Sequence, residues 1–178
     1  NTADRGGGAM VEKRSVARVS TLLVIGNRAK NGAGVCLRDE ALGTFDQNSV
    51  FEGNVAMNQG GGVMVAGDSS CSLKDSLLLR NYGFYGGALY VDGCAIALST
   101  VEVRDNAVED GGYGGGLFIA KNGRSNIMKE SLFVSNTATK GGAAYVEYGS
   151  MFYVEDSTLR ANVAQYDGGG VFVNDATA

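Results

Sequence analysis

Apolar and polar residues alternate with a period of two through most of this chain, in short runs broken by Gly, Asn and Asp. That period predicts strands, and the breaks predict turns between them. The alternation is locked to a longer repeat. A glycine-rich triplet followed by apolar residues begins at Gly6 (GGGAMV), Gly32 (GAGVCL), Gly60 (GGGVMV), Gly86 (GGALYV), Gly114 (GGGLFI), Gly141 (GGAAYV) and Gly168 (GGGVFV), at spacings of 26, 28, 26, 28, 27 and 27 residues. Between the triplets lies a second motif, an apolar residue, two variable residues and Asn. It reads VIGN to Asn27, FEGN to Asn54, LLRN to Asn81, VRDN to Asn106, FVSN to Asn136 and LRAN to Asn162. The first seven residues match Asn136–Gly142 in phase, which places Asn1 in the same column.

Each repeat supplies columns of equivalent residues. Three and five positions beyond the first glycine, pairs such as Val63 and Val65 or Leu117 and Ile119 share one face, which must point inward. The second triplet position is always tiny (Gly7, Ala33, Gly61, Gly87, Gly115, Gly142, Gly169), so another wall is expected to approach closely there. A second strand offers Val19, Leu73, Leu98, Met128 and Val154 to the interior, and a third offers the apolar residue three before each Asn. Together these predict an all-β fold: a right-handed, single-stranded parallel β-helix of about six coils of ~27 residues, with three short strands per coil. Coils would stack about 4.8 Å apart, giving a rod of roughly 30 Å. The column Asn1, Asn27, Asn54, Asn81, Asn106, Asn136 and Asn162 is expected to form an internal ladder, since a stacked amide can donate and accept along the pile.

Composition narrows the picture. The absence of proline suits strands whose every N–H is needed by the next coil. Hydrophobic residues make up 44% of the 178, enough for a core, and the 28 glycines have no three-residue period, which excludes collagen. No apolar run approaches the length of a membrane-spanning helix. A net charge of −4 without a Lys/Arg cluster disfavours nucleic acid. The lack of histidine removes the commonest general base and metal ligand. Residues 1–178 are expected to form one β-helix segment, either an excerpt of a longer solenoid or one whose ends stack on something else, because neither end carries a distinct cap.

The repeats resemble those of the chlamydial polymorphic membrane protein family, which carries GGA(I/L/V) and FxxN motifs. FEGN at 51–54 and FVSN at 133–136 match the second motif, and GGAL at 86–89 matches the first, with GGAA at 141–144 close to it. The other copies drift to GGGV, GGGL, GAGV, LLRN, VRDN and LRAN. Members are autotransporters with a β-helical passenger used for adhesion, followed by a membrane barrel whose sequence is not present here. The resemblance implies an extracellular or cell-surface location and an adhesive or structural role, and it brings no catalytic residue.

Candidate chemistry lies on the outside. The fourth position beyond the first glycine reads Met10, Cys36, Met64, Tyr90, Phe118, Tyr145 and Phe172, an outward apolar stripe by alternation. It is expected beside a smooth outward column of Gly8, Gly34, Gly62, Ala88, Gly116, Ala143 and Gly170. Such a stripe either stacks on itself, is buried against another protein or domain of the same assembly, or serves as a platform for a glycan. On the assembly reading, replacing Tyr90, Phe118 and Tyr145 with Ser leaves folding intact and weakens assembly. Outward Leu23, Val50, Leu77 and Leu132 extend the apolar surface.

Pectate lyases and polygalacturonases also use parallel β-helices, with carboxylates gathered on one outer face for calcium or acid–base work. Here Asp75, Glu130 and Asp156 share a column with Asn48 and Thr100, which reads as a solvated polar face, while Asp110 and Asp167 sit near turns. GGYGGG at 111–116 approaches a calcium-binding nonapeptide but has Gly116 where Asp is required. Cys71 and Cys94 fall in successive coils two residues out of register, a possible disulfide at an awkward offset. The expected function is a non-catalytic structural or adhesive scaffold whose apolar outer face packs on partner chains, with no cofactor or metal. The alternatives are a pectate-lyase-like enzyme and a glycan-binding module.

Overall fold

The computed structural model describes residues 1–120, 122–123 and 126–175. Among these the chain forms 26 strands and no helix. All pairings are parallel, and each strand pairs with its counterpart one coil away. The strands file into four sheets. The first runs from Thr2–Arg5 to Val163–Asp167 and the second from Ala9–Val11 to Val171–Val173, with seven strands each. The third runs from Val16–Ser20 to Phe152–Glu155 and the fourth from Leu23–Ile25 to Thr158–Arg160, with six strands each. The chain visits the sheets in turn, so it is a parallel β-solenoid of six coils and the start of a seventh.

Each coil has four strands rather than the expected three. The additional one follows the ladder Asn, as in Arg28–Asn31 and Thr137–Lys140. Its inward residue is small in most coils (Ala29, Ala56, Gly83, Ala138), so it adds little apolar contrast to the sequence. Ala29, Ala33 and Ala56 form a small cluster of their own behind this sheet.

Left-handed backbone makes the corners. The first triplet residue has positive φ in every coil, for example 64° at Gly86, where an added Cβ would collide with the Leu89 carbonyl oxygen. The residue before each ladder Asn turns the same way at Gly26, Gly53, Arg80, Asp105, Ser135 and Ala161, with φ between 52° and 64°. So does the column Thr21, Asn48, Asp75, Thr100, Glu130 and Asp156, with φ between 47° and 65°. Asn and Asp tolerate this region better than most side chains, which accounts for their share of these positions.

The core lies between the second sheet (Val35, Leu37, Val63, Val65, Leu89, Val91) and the third and fourth, which contribute Phe45, Leu73, Leu98, Phe51, Leu78, Val103 and Phe133. The third triplet position, expected to face outward, turns inward instead. Ala88 and Ala143 are fully buried in this core, and a Cβ at Gly116 would sit 2.8 Å from the Phe133 ring. The left-handed glycine bends the chain, so strict alternation begins only where the strand proper begins. The close wall behind the second triplet position is the backbone of the next coil: a Cβ at Gly142 would lie 2.7 Å from the Val163 carbonyl oxygen. In the sixth coil, whose strands lie at the edges of the third and fourth sheets, inward Val154 and Leu159 are exposed.

Candidate interaction surface

The asparagines stack as expected. Asn27, Asn54, Asn81, Asn106 and Asn136 are buried at the corner between the fourth and first sheets. Each side-chain amide donates to the Oδ1 of the next: Asn1 to Asn27 at 2.9 Å, Asn27 to Asn54 at 2.9 Å, Asn54 to Asn81 at 2.9 Å, Asn81 to Asn106 at 3.0 Å, Asn106 to Asn136 at 3.0 Å and Asn136 to Asn162 at 2.9 Å. The same Oδ1 accepts the backbone N–H of the preceding Asn, as Asn81 does from Asn54 at 3.1 Å. The second amide proton goes to a carbonyl of the previous coil, as from Asn81 to Phe51 at 2.8 Å. Both donors and both lone-pair sites of Asn54, Asn81, Asn106 and Asn136 are thereby used, which makes burial of the amides tolerable. All the dipoles point one way, so each bond polarises the next.

A partial serine ladder marks the corner between the third and fourth sheets. Ser131 Oγ accepts from Val101 N–H at 3.1 Å and donates to the Lys129 carbonyl at 2.7 Å, while Ser157 Oγ accepts from Ser131 N–H at 3.0 Å. Asp75, Glu130 and Asp156 immediately precede Ser76, Ser131 and Ser157, so their backbone job is the left-handed corner described above. A shallow groove of about 470 Å³ beside this column holds Asp75 and Glu102 with Asn48, Ser76 and Thr100. Among the described residues no three His, Cys, Asp or Glu come close enough to hold a metal ion.

The apolar stripe points away from the core, as alternation requires, but it is not an open patch. Tyr90, Phe118 and Tyr145 are only 6%, 3% and 5% exposed. Their rings stack face to face, Tyr90 on Phe118 at 5.4 Å, Phe118 on Tyr145 at 5.1 Å and Tyr145 on Phe172 at 5.2 Å. Two residues not singled out in the sequence cover them: Tyr85 packs on Phe118 at 5.1 Å and Tyr113 stacks on Tyr145 at 4.9 Å. The readable signal for these was their place immediately before consecutive glycine triplets. Burial pushes the Tyr90 and Tyr145 phenols above their ordinary range. At the ends Met10 is exposed, Met64 and Phe172 are half-buried, and Cys36 is fully buried. Lys140 caps Phe172, 4.9 Å from the ring centre.

The three cysteines are free and buried, so the possible Cys71–Cys94 bridge is not formed. The ladder pairs Cys71 with Ile96, leaving Cys94 two residues away along the neighbouring coil. Burial raises the Cys71 thiol to about 12 and those of Cys36 and Cys94 to about 11. Open apolar surface lies instead on the outer face of the fourth sheet, where Leu23 and Ile25 are exposed and Val50, Leu77 and Leu132 are half-buried. Among the described residues no helix is long and apolar enough to cross a membrane.

No curated protein and no solved structure matches the chain. One family model does, described as the right-handed beta-helix region, and it matches residues 3–177. With stacked coils, one-way asparagine ladder and nearly full-length match, the chain belongs to the right-handed β-helix family.

Proposed function

We propose that this chain is a non-catalytic scaffold segment of a large cell-surface or extracellular protein, with a structural or adhesive role. The observation that carries the reading is the continuous asparagine ladder. Both sequence motifs that resemble the polymorphic membrane protein repeats have structural jobs: FxxN supplies a core residue and the ladder amide, and the glycine triplet supplies a corner. The interior thus builds a stiff rod with outer columns at fixed pitch, the geometry a display scaffold needs. The exposed apolar positions on the fourth sheet are the places where partner chains of the same assembly would pack, in preference to the self-stacked aromatic stripe.

The enzymatic alternative rests on the groove holding Asp75 and Glu102. Incubation with polygalacturonate and calcium separates the two, read as new unsaturated ends in the ultraviolet. No product above a buffer control is expected. Turnover abolished by Asp75→Asn or Glu102→Gln would replace the scaffold reading with an enzyme. Adhesion is tested by binding of beads coated with the folded chain to epithelial cells, against beads carrying heat-unfolded chain.

A further inference from the structure

The outer face of the first sheet carries charges of opposite sign on opposite sides of an apolar centre. In the second coil Arg28 and Lys30 are exposed on this face, flanking inward Ala29. In the third coil the same two positions are Val55 and Met57, the latter 71% exposed. In the fourth they are Tyr82 and Phe84. In the fifth the strand bulges: Tyr82 pairs with Ala107 and Gly83 with Val108, but Tyr85 pairs with Tyr113. Three extra residues are inserted, and exposed Glu109, Asp110 and Gly111 occupy that bulge. Among the described residues, Arg28, Glu109 and Asp110 take part in no ion pair, and Lys30 touches only the exposed Asp4. Around Arg28, Lys30 and Met57 the face has a hollow of about 440 Å³, whose edge Asp4 also lines, leaving one net positive charge there.

We propose that this face is a homophilic docking surface that takes a second copy of the chain in antiparallel orientation. The pairing follows from symmetry. A two-fold axis lying in the plane of the face, along the strands and between the third and fourth coils, sets the second coil against the fifth and the third against the fourth. The acidic bulge of each copy then enters the hollow of the other, where Arg28 has no acidic partner within its own chain and Lys30 has only the exposed Asp4. Val55 meets Tyr82 and Met57 meets Phe84 at the centre. Turning the axis along the rod would instead put like charges together. Six overlapping strands at 4.8 Å by four to five residues give a face of roughly 30 by 15 Å, about 450 Å² per copy. That is below the ~800 Å² of a standard stable interface, so the dimer is weak and reversible. Sparse contacts of this kind suit a scaffold that gains strength from many copies.

The inference goes beyond the scaffold reading and does not depend on it, since catalysis and self-association are read in separate assays. The test is sedimentation equilibrium of the intact chain from about 10 μM to about 1 mM at low salt. The average mass should rise from 18.4 kDa toward twice that, and added NaCl should reverse it. Glu109→Lys/Asp110→Lys and Arg28→Glu/Lys30→Glu should each weaken self-association at least tenfold, with unchanged circular dichroism showing that both remain folded. Mixed one to one, the two variants should associate with each other, because every bulge–hollow contact is then complementary. A wild type that stays monomeric overturns the proposal, as it leaves the face to another partner. So does undiminished self-association of either variant, or a mixture that fails to associate.

Discussion

Asn81→Ala tests the ladder where it is deepest. Asn81 is 1% exposed and makes four bonds through its side chain. Its amide donates to Asn106 Oδ1 and the Phe51 carbonyl, and its Oδ1 accepts from the backbone N–H and the side-chain amide of Asn54. Truncation strands two buried donors on Asn54 and the bond to the Phe51 carbonyl, and leaves Asn106 Oδ1 with one of its two partners, the Asn81 backbone N–H. Each stranded buried group costs about 1–3 kcal/mol, and partial relaxation makes the sum about 3–5 kcal/mol. The assay is urea unfolding followed by circular dichroism. Asn162→Ala, at a half-buried rung with fewer partners, should cost clearly less. Asn81→Asp separates bonding from packing: it keeps the shape and both acceptors but places an oxygen against the Phe51 carbonyl and Asn106 Oδ1, so it should be at least as harmful as Ala. If Asn81→Ala shifts the midpoint no further than the exposed-surface control Lys74→Ala, the ladder is not what holds the coils together.

Gly142→Val should destabilise by at least about 1–3 kcal/mol through overpacking, since the new side chain meets the Val163 carbonyl of the next coil; a wild-type melting temperature would refute this. Because the aromatic stripe is buried by its own stacking, Phe118→Ser should cost about 3 kcal/mol of folding stability, where an open stripe would have left folding intact; thermal melts decide between them. The buried thiols predict alkaline sensitivity. Their folded values of about 11 to 12 exceed the ordinary 9.0, so above pH 9 the unfolded chain sheds protons that the folded chain keeps. Stability present below pH 9 is therefore lost as pH rises toward 11–12, by up to about 1.4 kcal/mol per pH unit for each thiol. Urea midpoints between pH 8 and 11 should fall less steeply in Cys71→Ala than in wild type, and an identical slope would sink the argument.

The period, the coil and the ladder were legible because stacking forces equivalent residues into columns, and columns of Asn or of Val and Leu stand out in one sequence. The fourth strand was not legible, because its interior position holds Ala29, Ala56, Gly83 and Ala138, too small to show a hydrophobic rhythm. The orientation of Ala88 and Ala143 was misjudged for a related reason. Alternation counts only through extended backbone, and Gly86 and Gly141 are left-handed. The direction of Tyr90, Phe118 and Tyr145 was legible but their exposure was not. Burial of an outward ring depends on its neighbours in the same and adjacent columns, and Tyr85 and Tyr113 reach the stack from across a corner.

These three outcomes share a cause that bears on how such a chain acquires function. Register between coils is held at the corners, by left-handed residues and by buried amides and hydroxyls, as well as along the paired strands. A coil can therefore accept extra residues between corners without disturbing the next one. The fifth coil does so: three residues are inserted after Val108, yet Ala107 remains beside Tyr82 and Thr137, and Tyr113 beside Tyr85 and Lys140. The insertion carries two exposed carboxylates, and the ladder passes from Asn81 through Asn106 to Asn136 unbroken. Core and corners are thus bound to one pattern, while the outer faces between corners are free to bulge and change charge. On this argument, recognition by the molecule should be sought where the repeat departs from itself, at Glu109–Gly111, before it is sought in the columns that repeat most faithfully.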